Sequence, residues 1–551
     1  MTEKSRIKTI SLILKTCFIL VLCRFFYVQI IIGPELKEKA LTQTFKLEKT
    51  IPSRGHIFSS DNYPLVLNQS KYQLSLYKPN LEEDINKIIS QIEEIYPDFY
   101  QENEILVKLI RDNPDQQWVT FKTHFTKEEK DKLEQAGIIF EKIESRYYPE
   151  EDLAKNILGL VAKNQQGYDI GYGGLEGYYQ KQLQGKTGFT WSPQDATGKS
   201  ILTKRSWNST AIDGRDLYLT LNRSIQFQVE KELKDGVERF DADSGNITVM
   251  DSQSGAILAM ATYTATTSAT PSATKIAPIS DLFEPGSIFK PLVVTMALDN
   301  DSIDTDYVCD QCHKNLTIGQ YTISNWDNST HPDSTLKDII KNSDNIGMSH
   351  IINELGLEAF LNYYKKLSLN QKTGIDLQGE SRISVKKNWP DIDLATASFG
   401  QGIVVNQVNM LQSFNTLANN GILVKAHLLN YSLDQNNNKI DNKFKQNKRV
   451  FKEESVKEIK EILKYAVENG SVNKLRPQNL EVCAKSGTAQ VAVKGNYTDS
   501  STIASYIGFS PCDNPKFTMI VTINNPKSSP WGSSTAAPIW FTLASKINYL
   551  L

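Results

Sequence analysis

One long apolar segment near the N-terminus constrains this chain more than any other feature: "TISLILKTCFILVLCRFFYVQIIIG", residues 9–33. As a helix it would extend about 36 Å, enough to cross the hydrocarbon core of a membrane. Basic residues precede it, and no small-residue cleavage site follows it. The pattern predicts an uncleaved anchor at residues 9–32, with residues 1–8 in the cytoplasm and all later residues on the other side of the membrane.

Two basic residues, Lys15 and Arg24, interrupt the apolar segment. They lie toward its opposite ends, so their side chains are expected to reach the two membrane surfaces. The alternative is that Arg24 meets a polar group on another membrane protein. Under either interpretation the cytoplasmic membrane is the first partner of the chain.

Length, charge and cysteine content limit the number of domains and the kinds of partner that are expected. A chain of 551 residues is long enough for two or three domains with their own cores. Lys+Arg 61 against Asp+Glu 63 leaves a net charge of −2, so no nucleic acid is expected as a partner. The six cysteines are too few for a disulfide scaffold.

Hydrophobic periodicity predicts two regions after the anchor. A stalk and a mixed α/β pedestal domain are predicted over residues 33–222. In this region "YQLSLY" alternates like a strand, and "EEDINKIISQIEEIY" has a helical period. Residues 223–551 predict a helix with its N-cap at Ser224, then a hairpin at "NITVMDSQSGAILAMATY". A mostly helical insert follows, and strand-like runs return at "EVCAKSGTAQVAV", "TIASYIGFSP" and "KFTMIVTINNP". Strands from both ends of a domain with helices between them predict an α+β fold with an antiparallel sheet.

Ser287 and Lys290 stand one helical turn apart in "EPGSIFKPL". Proline is best tolerated in the first turn of a helix, so Pro291 predicts that a helix begins at or just after Ser287. Residues i and i+3 share a helix face, which places the Lys290 amine beside the hydroxyl. A lysine accepts a serine proton only when it is neutral, which requires burial or a nearby positive charge. Alone, this S-x-x-K pattern is a weak signal.

Two further motifs follow in the chain. "KNSDNIG" supplies Ser343 and Asn345, and "AKSGTAQ" supplies Lys485. The order S-x-x-K, S-x-N, K-[ST]-G is typical of penicillin-binding proteins and serine β-lactamases. Ser343 is expected to relay a proton to the leaving amine, and Asn345 to hold a substrate carbonyl and orient Lys290. Lys485 adds a positive charge that lowers the pKa of Lys290, and the small residue at 487 lets a substrate backbone lie along the strand.

The chain resembles the class B penicillin-binding proteins, which are membrane-anchored D,D-transpeptidases of peptidoglycan, over nearly its whole length. "PSRGHIF", "ESRYYPEEDLAKNILGLV" and "GYGGLEGYYQKQLQGKTG" are similar to the R-G-x-I, R-x-Y-P and G-x-x-G-L-E segments of the family's pedestal. "TGIDLQGE", "SFGQGI" and "YIGFSP" are similar to segments of its transpeptidase domain. "EPGS" and the Phe-Gly-Gln-Gly segment favour the septal FtsI branch over the elongation branch. "SSDNYP" and "TLN" depart from the family's usual Asp-Arg-Asn-Gly and "TID", both outside the catalytic motifs.

The resemblance implies an acyl-transfer reaction on stem peptides, without a cofactor or a metal. Ser287 would attack the D-Ala-D-Ala carbonyl, release the last D-Ala and pass the acyl group to an amine of a neighbouring peptide. β-Lactams are expected to acylate the same serine. The oxyanion hole would be the N–H groups of Ser287 and Thr488. The Ser486 and Thr488 hydroxyls would bind the terminal carboxylate, with Gly487 and Gln490 as further substrate-binding residues.

The predicted protein partners follow from an activity that the chain is not expected to have. "YPEEDLAKN" has only a faint likeness to the acidic motif of glycan polymerases, so no glycosyltransferase activity is expected. A polytopic membrane glycan polymerase and other divisome proteins are therefore predicted partners, with Arg24 and the pedestal as contact points.

Two local patterns suggest other functions. "CDQCH" has the form of a haem attachment site, but free thiols at Cys309 and Cys312 are favoured over a short-range disulfide and over haem, and no second ligand pair supports zinc. "EAFLN" at residues 358–362 has the E-x-x-L-N form that β-lactamases use for deacylation, but the periodicity around it predicts a helix packed on the core.

Two alternatives to a transpeptidase stay open at this point. A β-lactam sensor or β-lactamase is disfavoured by the pedestal and the anchor. A catalytically silent structural divisome subunit is disfavoured by the intact set of motifs.

Overall fold

The computed structural model describes residues 3–133, 137–165, 168–193, 207–265, 275–442, 447–493 and 496–551. The chain forms two compact units. One comprises Met1–Arg54 and Gln184–Gly214, and the other comprises Gly55–Leu183 and Arg215–Leu551. The larger unit contains all the predicted catalytic residues.

In the smaller unit the apolar segment is a helix, Glu3–Phe26, that continues as one π-helical turn, Tyr27–Ile31. Its residues 7–31 have a mean hydropathy of 2.0 and are not covered by the rest of the chain. Within the described ranges it is the one helix long and apolar enough to cross a membrane. The unit also contains a helix, Gly33–Thr44, and a three-stranded antiparallel sheet of Phe45–Thr50, Gly188–Pro193 and Trp207–Ser209.

A seven-stranded sheet joins the pedestal to the catalytic region within the larger unit. In spatial order its strands are Lys439–Asp441, Leu429–Leu433, Asp216–Leu219, Ile57–Phe58, Pro64–Tyr77 and Trp118–Phe125, and Ile138–Tyr147 also pairs with Pro64–Tyr77. The strand Leu429–Leu433 lies far along the chain, yet it pairs antiparallel with Asp216–Leu219. The predicted boundary at residue 222 therefore falls between two parts of one sheet.

The pedestal elements predicted from periodicity are confirmed. "YQLSLY" ends the strand Pro64–Tyr77, and "EEDINKIISQIEEIY" contains the helix Ile85–Ile95, whose N-cap is Asp84. The remaining pedestal helices are Phe99–Asp112, Lys127–Leu133, Lys155–Leu158, Gly174–Tyr178 and Gln180–Leu183, and a short hairpin comprises Leu160–Lys163 and Asp169–Tyr172.

A buried ion pair joins the three pedestal segments that carry the family resemblance. Arg146, from "ESRYYPEED", lies 2.6 Å from Glu176 of "GGLEG", which is fully buried. The same guanidinium donates to the carbonyl of Gly55, from "RGHIF", at 2.8 Å and to Asn68 Oδ1 at 2.7 Å. A buried charge is tolerated only when it is paired and hydrogen-bonded, so this cluster fixes how the three segments pack.

The catalytic region has the predicted α+β fold. Helix α1, Arg223–Arg239, precedes strands β1, Ser244–Asp251, and β2, Ile257–Thr264, which form the predicted hairpin. Strands β3, Cys483–Val493, β4, Asn496–Ser510, and β5, Phe517–Asn524, complete an antiparallel sheet of order β2-β1-β5-β4-β3. One face packs on α1 and the C-terminal helix Ala536–Leu550, and the other packs on the helical insert.

The N-cap of α1 is Asn222, so the prediction of Ser224 is wrong. Asn222 has the extended backbone that a cap requires, with φ −93° and ψ 122°, and its Oδ1 accepts from the Ile225 N–H at 3.0 Å. Ser224 is the second residue of the helix. Both residue types suit a cap, and only the backbone conformation separates them.

The insert carries the catalytic motifs on short helices. Helix α2 is Lys290–Asp299, α3 is Leu336–Asn342, α4 is Asn345–Leu355 and α5 is Leu357–Lys366. The other helices of the catalytic region are Ala277–Ser280, Asp391–Ala397, Gln407–Ala418 and Glu453–Asn469. "EAFLN" lies on α5 with Phe360 buried and Glu358 exposed. The interpretation of this segment as a packed helix is confirmed.

Two disulfides lie in the catalytic region. Cys309 and Cys312 are bonded, so the favoured interpretation as free thiols is wrong. The turn Asp310–His313 brings their Cα atoms to 5.4 Å, within bonding range. Cys483 at the start of β3 is bonded to Cys512 just beyond β4, a pair that the sequence did not indicate because it depends on strand register.

Candidate active site

Ser287 lies in a single 3₁₀ turn, Gly286–Phe289, directly before α2. Pro291 occupies the first turn of α2, as predicted. The residues on either side of Ser287 in this turn are buried, whereas Ser287 itself is half-buried. Its hydroxyl is therefore held at the positive end of a helix dipole and is accessible to a ligand.

The position of this turn depends on two glycines with positive φ. Gly286 has φ +59°, and its N–H donates to the carbonyl of Gly400 at 3.1 Å. A Cβ on Gly400, which has φ +79°, would lie 2.2 Å from the Gly286 oxygen. Glu284 adds a third contact by accepting from the Gly402 N–H at 3.0 Å. These contacts hold the "EPGS" and "SFGQG" segments together beside Ser287.

Strand β3 lies against the other side of the turn. Among the described strands it is the edge of its sheet and pairs with β4. A Cβ on Gly487 would meet Ile288 Cγ2 at 2.8 Å and Ile288 N at 3.1 Å. The glycine therefore lets the nucleophile turn approach the strand, a role that the sequence interpretation, which assigned it to the substrate, did not include.

Side-chain exposure alternates along β3. Ser486, Thr488 and Gln490 are half-buried, whereas Lys485, Gly487 and Ala489 are buried. Because successive residues of a strand face opposite sides, the three polar residues share one face. The Thr488 hydroxyl accepts from the N–H of Gly532 at 3.2 Å.

The Lys290 amine is fully buried and bound to the S-D-N motif. Its Nζ donates to the Ser343 carbonyl at 2.6 Å, to Ser343 Oγ at 3.2 Å and to Asn345 Oδ1 at 2.7 Å. Among the described residues, these are its hydrogen bonds, and none joins it to Ser287 Oγ. The structure brings Lys290, Ser343 and Asn345 together.

Burial and charge both act on the two lysines. Burial is the largest effect and lowers the pKa of Lys290 well below its ordinary value, the charge of Lys485 lowers it further, and the carboxylate of Asp344 opposes them. Burial lowers the pKa of Lys485 to about 7. The neutral amine of Lys290, the form that accepts a proton, is thereby stabilised.

The S-D-N motif occupies a sharp turn between α3 and α4. Ser343 has φ +56°, and Asp344 is the N-cap of α4, accepting from the Gly347 N–H at 2.9 Å. Asn345 donates its N–H to Asn325 Oδ1 at 2.7 Å and its side-chain amide to the Ser324 carbonyl at 3.1 Å. These bonds leave Asn345 Oδ1 directed at Lys290.

An exposed tryptophan pair lies beside these motifs. The rings of Trp326 and Trp531 make an edge-to-face contact with centroids 5.0 Å apart. Trp326 follows Asn325, which binds Asn345, and Trp531 precedes Gly532, which binds Thr488. The sequence pattern did not point to them, since the two residues lie far apart in the chain.

A serine at the start of a helix, with a buried lysine and an S-D-N turn beside it, is the arrangement of the penicillin-recognising serine enzymes. Residues 245–545 match the model of the penicillin-binding protein transpeptidase domain, and residues 49–219 match that of the penicillin-binding protein dimerisation domain. The chain belongs to the class B penicillin-binding proteins.

Relatives cover most of the chain. Stage V sporulation protein D of Bacillus subtilis (strain 168) is 27% identical over 559 residues, 98% of this chain and 84% of the relative. Peptidoglycan D,D-transpeptidase FtsI of Escherichia coli (strain K12) is 28% identical over 419 residues, 74% of this chain and 68% of the relative. The crystal structure of penicillin-binding protein 2X from Streptococcus thermophilus matches with a TM-score of 0.73 at 23% identity, covering 92% of this chain and 80% of that one.

The family assigns the enzyme class. The protein is a serine-type peptidoglycan D,D-transpeptidase, and its class lacks glycosyltransferase activity. Peptidoglycan is its substrate, and β-lactams bind to its transpeptidase domain. The N-terminal helix is its membrane anchor, the one such helix among the described residues.

Proposed function

We propose that Ser287 is the nucleophile and Lys290 its proton acceptor. In acylation the Ser287 oxygen bonds to the carbonyl carbon of the penultimate D-Ala, and its proton passes to the neutral Lys290 amine. Negative charge on the carbonyl oxygen is stabilised by the N–H groups of Ser287 and Thr488. Ser343 then relays a proton from Lys290 to the leaving D-Ala nitrogen as the amide bond breaks. In the second half-reaction an amine of another stem peptide attacks the ester and regenerates the serine.

Substrate is held mainly by β3. An extended stem peptide adds to the open edge of this strand, next to the nucleophile turn. The hydroxyls of Ser486 and Thr488 bind the terminal carboxylate, Asn345 holds a side-chain or backbone carbonyl, and Gln490 contacts the peptide farther along the strand. The single observation that carries these roles is the buried Lys290 amine bonded to both Ser343 and Asn345.

The roles are tested by covalent labelling of the full-length protein in detergent with a fluorescent penicillin. The wild type is expected to form a long-lived adduct, and Ser287→Ala to form none. Ser545→Ala, on the C-terminal helix across the sheet, is the matched control and should label like the wild type. Rapid loss of label from the wild type would indicate a β-lactamase. A folded wild type that never labels would contradict the assignment of Ser287.

We further propose that the enzyme acts in septal wall synthesis, with residues 1–8 in the cytoplasm and the catalytic region outside. Similarity to FtsI and the "EPGS" segment support the septal branch. A polytopic glycan polymerase and divisome proteins supply the glycan strands, and Arg24 is a contact within the membrane.

Depletion in the bacterium that carries the gene tests the septal role. Long cells without septa are expected, together with a fluorescent fusion that gathers at mid-cell. Rounded cells that still divide would place the enzyme in elongation instead. For the membrane contact, Arg24→Leu should reduce co-purification with the polymerase, while Lys15→Leu should not.

A further inference from the structure

The middle residue of the S-D-N motif, Asp344, is a fully buried carboxylate. One oxygen, Oδ1, caps helix α4 by accepting from the Gly347 N–H at 2.9 Å. The other, Oδ2, lies 2.8 Å from Nδ1 of His331. A buried carboxylate oxygen without a donor lowers the free energy of unfolding by about 1–3 kcal/mol or more. His331 supplies a donor for Oδ2, which the helix cap does not.

His331 is itself held in place from several sides. Its N–H donates to the Cys312 carbonyl at 3.1 Å, next to the Cys309–Cys312 disulfide, and its own carbonyl accepts from Ser334 Oγ at 2.8 Å. Ring atom Nε2 lies 3.3 Å from Ser329 Oγ, which also bonds Asp327 at 2.6 Å. The imidazole therefore has a defined position, and a carboxylate can only accept, so Nδ1 carries the proton directed at Asp344.

The loop that holds His331 also touches the motif at a second point. Asn325 accepts from the Asn345 N–H at 2.7 Å and donates to the Ser329 carbonyl at 3.0 Å. Asn325 Nδ2 also lies 3.4 Å from His331 Nδ1. Residues 325–331 thus contact both Asp344 and Asn345.

We propose that His331 is a positioning residue for the transpeptidase reaction. Its Nδ1–H holds the Asp344 carboxylate and thereby fixes Ser343 and Asn345 in the places where they bind Lys290. The inference rests on the roles proposed above for Ser343 and Asn345, and within the described part of the chain His331 has no hydrogen bond to Ser287.

Loss of this donor has a specific consequence. The Asp344 side chain must then rotate, take up a proton or admit water, since its buried oxygen has lost its partner. Each outcome moves the Ser343–Asp344–Asn345 turn, or its charge, relative to the Lys290 amine. Acylation should fall more than stability does.

The test is the second-order rate of acylation by a fluorescent penicillin, measured on the full-length protein in detergent together with its thermal midpoint. His331→Leu removes the donor and should lower the rate about 10- to 100-fold, the equivalent of one hydrogen bond to a charged group. His331→Asn places an amide N–H near Nδ1 and should recover most of that loss. His313→Leu is the matched control, since His313 is exposed in the neighbouring disulfide-bonded turn and, among the described residues, its ring bonds the Asp310 carbonyl.

A double variant separates positioning from general destabilisation. If His331 acts through Asp344, adding His331→Leu to Asp344→Asn should lower the rate little beyond Asp344→Asn alone. Additive losses, a wild-type rate in His331→Leu, or a rate that falls only in step with the thermal midpoint and is not recovered by His331→Asn would each overturn the inference. Failure of the proposed function has a different signature, because the wild type itself would then not label.

Discussion

Two lysine amines share the buried part of this active site, and the charge of Lys485 lowers the pKa of Lys290. Among the described residues neither amine has a carboxylate as its direct partner: Lys290 binds Ser343 and Asn345, and Lys485 Nζ donates to the Ser486 carbonyl at 2.8 Å. Carbonyl and hydroxyl partners stabilise the ammonium less than a carboxylate would. The site therefore trades stability for a neutral, reactive amine.

Replacing Lys485 with methionine should stabilise the folded protein in a pH-dependent way. The folded pKa is about 7 against an ordinary 10.5, so the folded state loses this proton first and the unfolded chain binds more protons between those values. The cost of the buried charge is therefore present in full below pH 7 and disappears as the pH rises to about 10.5. Thermal unfolding of Lys485→Met should show a gain at pH 6, bounded by about 5 kcal/mol, that vanishes near pH 10.

The same variant should lose penicillin acylation at every pH, which separates the two roles of the lysine. Lys457→Met, at an exposed position on the helix Glu453–Asn469, is the control and should change stability little at either pH. A Lys485→Met protein that is less stable than the wild type at pH 6 would contradict the prediction.

At the scale of elements, the active site depends on one close approach between the nucleophile turn and β3. Gly487→Ala would place a methyl group 2.8 Å from Ile288 Cγ2, so the turn must move by a few tenths of an ångström or more. We expect penicillin acylation to fall about tenfold or more, with a loss of about 1–3 kcal/mol in stability. Stopped-flow labelling and urea unfolding measure the two effects.

A compensating change tests the cause. Ile288→Leu removes the Cγ2 methyl, so the double variant Gly487→Ala, Ile288→Leu should recover part of the acylation rate. Two results together would contradict this cause: no recovery of acylation in the double variant, and an unchanged rate of D-Ala release from substrate in Gly487→Ala. The glycine would then not act through its contact with Ile288.

Much of the secondary structure around the site was predictable from the sequence. The hairpin β1–β2 and strands β3 to β5 follow from apolar alternation, and α2 from the position of Pro291. What could not be predicted depends on pairing between distant segments. The Cys483–Cys512 bond requires the register of β3 on β4, the contact of Trp326 with Trp531 requires two loops to meet, and the His331–Asp344 bond requires a loop to fold back on α4. No local pattern carries that information.

At the scale of the whole molecule, the Arg146–Glu176 pair holds together the part of the pedestal that shares a sheet with the catalytic region. Arg146→Met should cost about 3–5 kcal/mol of stability, because Glu176 would keep a buried charge without this cation. Lys108→Met breaks an exposed pair with Glu104 on a pedestal helix and should change stability little. Chemical denaturation of the two variants makes the comparison, and similar losses in both would show that burial does not set the cost.

The two disulfides also affect the molecule as a whole, because a disulfide stabilises a protein mainly by restricting its unfolded chain. Cys483 and Cys512 are 29 residues apart, whereas Cys309 and Cys312 are 3 apart. Loop-closure entropy gives about 3–4 kcal/mol for the longer bridge and about half of that for the shorter one. Paired Cys→Ser variants compared by denaturant midpoint should show the larger loss for 483–512, and the reverse order would contradict the entropic account.

The order of the two bridges along the chain has a consequence for how the protein is made. Each bridge joins neighbours among the four cysteines that follow the membrane helix, so a chain whose residues after the anchor cross the membrane in sequence order presents each cysteine's partner next. A thiol oxidase that pairs cysteines as they emerge would produce the native bonds at once. In the proposed topology, assembly of this enzyme therefore needs an oxidase on the outer side of the membrane but no disulfide isomerase.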